Sequence, residues 1–304
     1  MSKLEERPRI RYRPKLEHCT AWMATNGDPS IASKSSVNPV STPAMTSGAL
    51  IQQLESLRRD RDLLRLEISE AAQVQRRLSA PCQLRRGFFD IAGEIFPARH
   101  LSGDFLAAFD VGSHTVLGVG DIAGKGLSAG MWFTHLVGLI RIFAESLQDP
   151  AEVAARINGH LAALRPEAPT ATLFLIWADT RTGEFVYCNA GHPSPLVLRC
   201  DGSVEWLGPG GPLLGAVPGA DFVNGRTILN PGDTMLSYSD GILECRNPRG
   251  EEFGVEGIVD AVRSAAGPAD AMLFSVLGST QDFAAGQPRL DDLALMVVRR
   301  VAEA

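Results

Sequence analysis

Cysteine is scarce in this 304-residue chain and follows no pattern. Cys19, Cys82, Cys188, Cys200 and Cys245 are odd in number, form no Cys-x-x-Cys pair and join no histidine at zinc spacing. Structural thiols in a reducing compartment are expected. Surplus positive charge is also missing. Lys and Arg total 29 against 35 Asp and Glu, a net charge of -6, so there is no basic footprint for nucleic acid. Arg9, Arg11, Arg13 and Lys15 near the N-terminus are not followed by the apolar core of a leader, and no apolar run reaches the roughly 18 residues that a membrane span needs. Neither nucleic acid nor membrane is expected as a partner, and a cytoplasmic location is. No internal repeat is found.

What is present divides the chain into three. Residues 1–48 hold a charged prefix and then a stretch, Asn26 to Gly48, rich in Ser, Thr, Pro, Gly and Asn. Such a composition cannot repay its ordering entropy, so disorder is expected. Met23 and Met45 are alternative starts. Residues 49–80 read as a coiled-coil-like linker helix. Leu50, Leu57, Leu64, Ala71 and Leu78 recur every seven residues, Leu54 and Ile68 fill alternate seam positions, and Arg61 and Gln75 interrupt the seam. The seam fits a homodimer or a regulatory partner held through residues 50–80, with a helix packed on its own domain as the competing reading. Pro81 is the expected stop.

Residues 81–304 alternate short β-rich runs with helices. Strands are expected at Phe89–Phe96, Asp104–Phe109, Thr115–Asp121, Thr172–Ala178, Glu184–Asn189, Pro195–Arg199, Thr234–Tyr238 and Leu293–Arg299. Helices are expected over Leu127–Leu147, Ala151–Leu164, Val255–Ala265 and Pro268–Phe283. Turns such as Asp179–Gly183 and Asp201-Gly202 make the middle strands most simply antiparallel hairpins. The sum is an α+β fold, with sheets packed on each other and helices outside.

Four aspartates share a setting at the ends of apolar strands: Ser102-Gly103-Asp104-Phe105, Val119-Gly120-Asp121-Ile122, Tyr238-Ser239-Asp240-Gly241 and Asp291-Asp292. Each alone reads as a turn or a helix cap. Together they imply cations, because unpaired carboxylates are expensive to bury. Oxygen-only donors suit Mg²⁺ or Mn²⁺, and two such ions about 4 Å apart can activate a shared water against phosphorus. Gly120-Asp-Ile-Ala-Gly-Lys-Gly126 is not a nucleotide-binding P-loop, because Val119 and Gly126 stand where glycine and Ser/Thr are required. A glycine-rich turn feeding a helix remains, whose N-terminus suits phosphate. A cysteine phosphatase needs arginine six residues after its thiolate, and the residues there are Thr25, Phe88, Ser194, Trp206 and Glu251. Ser239 has neither a nucleophile elbow nor a paired base.

These motifs resemble the PPM, or protein phosphatase 2C-like, family in its bacterial SpoIIE/RsbU branch. The matching stretches are Gln73 to Pro81, Pro97-Ala98 with Ser102–Phe105, Gly120–Gly126, Asn189-Ala-Gly-His-Pro193, Pro231-Gly-Asp233 leading to Tyr238–Gly241 with Glu244, Phe253-Gly254, and Asp291-Asp292. They run in order over roughly residues 70 to 301. The resemblance implies a four-layer α-β-β-α sandwich of two antiparallel sheets flanked by helices. It implies two Mn²⁺ or Mg²⁺ ions on Asp104, Asp121 with the Ile122 carbonyl, Asp240 and Asp291. The reaction it implies is hydrolysis of phosphoserine or phosphothreonine on a signalling protein such as an anti-sigma-factor antagonist, with no covalent intermediate. N-terminal coils control such enzymes, and here the Leu50–Leu78 coil is expected to dimerise and position the helix from Leu127.

The sequence departs from the family at Ser102 in place of glycine, at an acid displaced to Asp110, and at Ala294 in place of threonine. Gly103, Lys125, His192, Gly241 and Asp292 are placed near the site. Lys125 reads equally as a point charge for phosphate or a solvated turn lysine, His192 more as a structural histidine than a catalytic one, and Asp292 as a position a third ion could visit. Two alternatives stay open: a catalytically weak, partner-binding module of the same fold, and a hydrolase of small phosphoesters.

Overall fold

The structure is a computed structural model that describes residues 47–79, 83–208 and 210–301. The expected disordered stretch, up to residue 46, and the helix stop at Pro81 lie outside them. Helix α1 (Ser47–Leu78) is continuous. Its seam leucines Leu50, Leu54, Leu57, Leu64 and Leu78 are 46–58% exposed. Gln75, expected as an interruption of that seam, faces the domain instead. Its amide donates to the Ser102 carbonyl at 2.8 Å and accepts from the Ser102 N–H at 3.1 Å. A buried amide is tolerated when both its polar ends are paired.

Eleven strands follow among the described residues. They are β1 (Gln83–Arg86), β2 (Phe89–Phe96), β3 (Phe105–Val111), β4 (His114–Gly120), β5 (Leu173–Asp179), β6 (Glu184–Ala190), β7 (Leu196–Leu198), β8 (Val204–Trp206), β9 (Gly225–Ile228), β10 (Thr234–Tyr238) and β11 (Leu293–Arg300). The helices after α1 are α2 (Leu127–Leu147), α3 (Pro150–Ala163), α4 (Asp240–Leu243), α5 (Gly254–Ser264) and α6 (Ala269–Ala284). One sheet has the order β1-β2-β11-β10-β7-β8 and the other β3-β4-β5-β6-β9, with every pairing antiparallel.

The two sheets face each other across Phe89, Leu117, Phe174, Phe185, Met235 and Met296, all almost wholly buried. Helices α2 and α3 cover the outer face of the β3–β6 sheet, and α5 and α6 cover the other sheet. The architecture is therefore the four-layer α-β-β-α sandwich. Strands β5, β10 and β11 are buried along nearly their whole length because both of their faces are covered. That explains why they read as continuous apolar runs. Phe133 of α2 is fully buried against Phe105, and truncating such a side chain to alanine costs about 3–5 kcal/mol.

Two sequence expectations are corrected. Strand β7 does not continue a hairpin from β6. It pairs with β10 and β8 in the opposite sheet, because the chain turns at Gly191 (φ 69°) and crosses between the sheets. Asn189 fixes that turn, accepting from the His192 N–H at 2.8 Å and donating to the His192 carbonyl at 3.1 Å. Asp240 opens a single helical turn, α4. Finally, α2 is long and apolar enough by composition to cross a bilayer, with a mean hydropathy of 1.4 over 18 residues. Its Phe133, Leu136, Val137, Ile140 and Ala144 are instead buried in the domain core.

Candidate functional site

Antiparallel pairing brings the four aspartates together. Asp104 immediately precedes β3 and Asp121 immediately follows β4, so the Phe105–Gly120 register sets them side by side at one end of that sheet. Asp240 follows β10 by one residue, and Asp291 and Asp292 precede β11, at the corresponding end of the other sheet. Two glycines make the approach possible. A Cβ on Gly241 would stand 1.9 Å from the Asp292 carbonyl oxygen, and one on Gly103 would stand 2.9 Å from the Ile122 carbonyl oxygen and 3.1 Å from an Asp121 carboxylate oxygen.

The electrostatics of this cluster are unfavourable to bare carboxylates. Burial first, and then the charge of Asp121, hold the Asp104 carboxyl well above the usual range. Asp121 is pushed up to about 7 by burial and then by Asp240, Asp291 and Asp292. Asp240 is raised by burial and by Asp291 and Glu244. One carboxylate oxygen of Asp104, Oδ2, is buried with no hydrogen-bond partner. The only cation touching the cluster among the described residues is Lys125, whose Nζ lies 2.7 Å from Asp291 Oδ2 and 3.1 Å from the Leu290 carbonyl. One ammonium on the rim cannot neutralise four or five converging acids. Among the described residues no three acids stand together as a finished cation site; the oxygen-only donors, the mutual repulsion and the orphaned carboxylate oxygen are the chemistry that suits a hard divalent cation.

The neighbours expected near the site have distinct tasks. Asp292 accepts from the Ala98 N–H at 2.7 Å and the Gly103 N–H at 2.8 Å, so both its oxygens tie the 97–104 loop to the start of β11. It is a buried organiser of the loop, with its oxygens already engaged. His192 touches none of the aspartates. It lies between the sheets, with Nδ1 3.0 Å from Thr172 Oγ1 and Nε2 3.5 Å from Ser237 Oγ. Burial lowers its pKa to about 3, so the ring is neutral at ordinary pH. Thr172 Oγ1 also accepts the Asp121 N–H at 2.9 Å. His192 thus braces a residue that holds Asp121 in place, a positioning role that agrees with the structural reading of this histidine.

Three participants were not legible in the sequence. Thr172 stands just before β5 and opposite Asp121, with its N–H donating to the Asp121 carbonyl at 2.8 Å, and only the strand pairing reveals its role. Ser239 accepts the Ala294 N–H at 2.9 Å and hydrogen-bonds Asp104. Gln75 holds Ser102, whose hydroxyl accepts the Asp104 N–H at 3.1 Å. The departure from glycine at Ser102 therefore supplies a bond to the first aspartate. Asp110, the displaced acid, lies at the far end of β3, where it pairs with Arg86 at 2.9 Å and accepts from Thr115. At roughly 3.3 Å per residue that is about 20 Å from Asp104, so it takes no part in the cluster.

The sequence family described as Stage II sporulation protein E (SpoIIE) matches residues 112–301. Among curated proteins, IcfG of Synechocystis sp. is 25% identical over 268 residues, covering 78% of this chain and 42% of IcfG. The chain thus spans less than half of that relative. Phosphoserine phosphatase RsbU of Bacillus subtilis is 25% identical over 257 residues, covering 83% of this chain and 76% of RsbU. The SiaA-PP2C domain of Pseudomonas aeruginosa superposes with a TM-score of 0.68 at 20% identity, over 79% of this chain and 98% of that domain. The RsbU and RsbW domains of Rv1364c from Mycobacterium tuberculosis give 0.61 at 29% identity, over 71% and 62%. The same fold is found in RsbX in complex with magnesium (TM-score 0.55) and in the catalytic domain of PstP with two manganese ions (0.52). This chain belongs to the SpoIIE family of PP2C-type phosphatase domains.

Proposed function

We propose that the chain is a metal-dependent protein serine/threonine phosphatase, in which Asp104, Asp121 with the Ile122 carbonyl, Asp240 and Asp291 hold two Mn²⁺ or Mg²⁺ ions. The observation that carries this reading is the meeting of four carboxylates from both sheets, in which burial and neighbouring acids hold Asp104, Asp121 and Asp240 above the usual carboxylate range, one Asp104 oxygen has no partner, and Lys125 pairs Asp291 alone. The likeness to the phosphoserine phosphatase RsbU and the metals in the PstP and RsbX structures support it.

When bound, the ions would neutralise phosphate charge and make water acidic enough to serve as the nucleophile. The chain's own contribution is placement. Asp104 is fixed by Ser102 and Ser239, Asp121 by Thr172, and the 97–104 loop that leads into Asp104 by Asp292. Lys125, half-exposed on the rim, is paired with Asp291 and would meet the phosphate as a point charge on leaving that carboxylate. The overall change is hydrolysis: oxygen from water joins phosphorus, the phosphorus–seryl oxygen bond breaks, and the seryl oxygen leaves with a proton. Among the described residues neither Ser239 nor Cys188 suits the role of a protein nucleophile. Ser239 is buried and already accepts the Ala294 N–H, and burial pushes the Cys188 thiol up to about 12.

The substrate class we favour is a phosphorylated signalling protein, of which an anti-sigma-factor antagonist is the leading example. The exposed leucine seam of α1 would pair with a second copy or a regulatory partner, and Gln75 links that helix to Ser102 beside Asp104. Deleting residues 1–70 should change both oligomeric state and rate. If neither moves, α1 has no such role.

The test of the main reading is turnover of para-nitrophenyl phosphate and a phosphoserine peptide with Mn²⁺ or with EDTA. Mn²⁺-dependent hydrolysis that disappears in Asp121→Asn and Asp240→Asn is expected. A folded, Mn²⁺-saturated chain that hydrolyses neither compound contradicts the proposal.

A further inference from the structure

A groove of about 950 Å³ opens directly beside the carboxylate cluster, and Gly241 and Asp291 belong to both. Its walls come from the segment after α4, from α6 and from the 286–291 stretch. Its apolar side includes Phe274, which is 59% exposed, and Leu290, which is 75% exposed. Large apolar side chains left this open beside a polar site mark a place where something is bound.

The charges in the groove are uneven. Lys125 is engaged with Asp291, and Arg246 with Glu252. Arg289 makes no ion pair among the described residues. Its guanidinium lies over the Phe96 ring, 5.2 Å from the centroid. Stacking fixes the guanidinium plane and leaves its N–H edge free for a carboxylate. The aspartate end of the same groove repels acids. An occupant with an acidic side chain is therefore oriented, with that side chain at Arg289.

We propose that this groove holds the polypeptide flanking the phosphorylated residue, with an apolar side chain against Phe274 and Leu277 and an acidic one at Arg289. The proposal rests on the phosphatase reading. Because Asp291 and Gly241 of the cluster line the groove, a chain whose phosphate lies at the cluster has this wall beside it, with both apolar surface and an unspent positive charge.

The experiment uses the full chain with Mn²⁺ and phosphoserine peptides whose flanks are Gly/Ser only, carry leucine, or carry leucine and aspartate within four residues on either side. Para-nitrophenyl phosphate, too small to fill the groove, is the control. The leucine-and-aspartate peptide should exceed the Gly/Ser peptide in kcat/KM by about tenfold or more. Phe274→Asp and Arg289→Glu should abolish that advantage and leave para-nitrophenyl phosphate turnover unchanged. Equal rates on all peptides, or an advantage that survives both variants, overturn the proposal. If wild type hydrolyses nothing, the phosphatase reading has failed. Fluorescence anisotropy of the labelled peptides then decides the groove separately: tighter binding of the leucine-and-aspartate peptide that both variants abolish supports it, and indifference to sequence overturns it.

Discussion

Asp104 and Asp233 are each 1% exposed, and their surroundings are opposite. Asp233 accepts from Arg199 at 2.7 Å, from the Asn230 N–H at 2.9 Å and from the Cys200 N–H at 3.0 Å. Every charge it brings inside is matched, and it holds the turn before β10 to the end of β7. Asp104 is surrounded by Asp121, Asp240 and Asp292, and one of its oxygens has no partner. Burial alone does not distinguish a structural acid from one kept for a ligand. What distinguishes them is whether the protein supplies the counter-charge.

The comparison can be broken from either side. Asp104→Asn should cost turnover more than roughly 100-fold, since even outer-shell changes around a metal cost 10–100-fold, and it should raise the melting temperature of the EDTA-treated chain. A lower melting temperature would show that Asp104 is structural after all. Arg199→Ala should do the reverse. It strands Asp233 in the interior at a cost of about 3 kcal/mol, measurable by urea denaturation, with turnover per folded molecule unchanged. A fall in turnover there would mean that the Asp233 network reaches the site.

The pH dependence sharpens the same contrast. Asp121 has a folded pKa of about 7 against a reference of 3.8. Its carboxyl therefore keeps a proton in the fold that it has lost in the unfolded chain. The metal-free protein should lose stability as pH rises through that window, the opposite of a salt-bridged acid. Mn²⁺ at 100 times its Kd should restore about 2.7 kcal/mol. Thermal scans at pH 5 and pH 7.5, with and without Mn²⁺, read both effects, and parallel curves would contradict the account. A smaller effect is expected at Thr172→Val, which removes the acceptor of the Asp121 N–H. Mn²⁺ affinity should fall by about 10–100-fold and return with Thr172→Ser. Full affinity in the valine variant would remove Thr172 and His192 from the positioning network.

Much of this was legible in the chain itself. The bounds of β2, β10 and α2 agree with the sequence expectation because apolar runs end at Pro97, Asp240 and the Gly124–Gly126 turn. The four aspartates were visible because each joins an apolar strand to a loop. Strands β1, β8 and β9 were not, since they are edge strands of three or four residues with no fully buried face. The change of sheet between β6 and β7 was hidden too, because a hairpin and a crossover share the same Gly-Pro punctuation. Gln75 reads in the sequence only as a break in the coil seam within the Gln73–Pro81 stretch, and Thr172 only as the start of a strand, since each acts through a partner brought close by folding.

The most direct test of the central claim is a count of Mn²⁺ ions bound per chain, by equilibrium dialysis, in wild type and in Asp104→Asn and Asp240→Asn. Two ions in wild type and fewer in each variant are predicted. No bound Mn²⁺ in folded wild type, or an undiminished count in both variants, would contradict a metal centre at the meeting of β3, β4, β10 and β11.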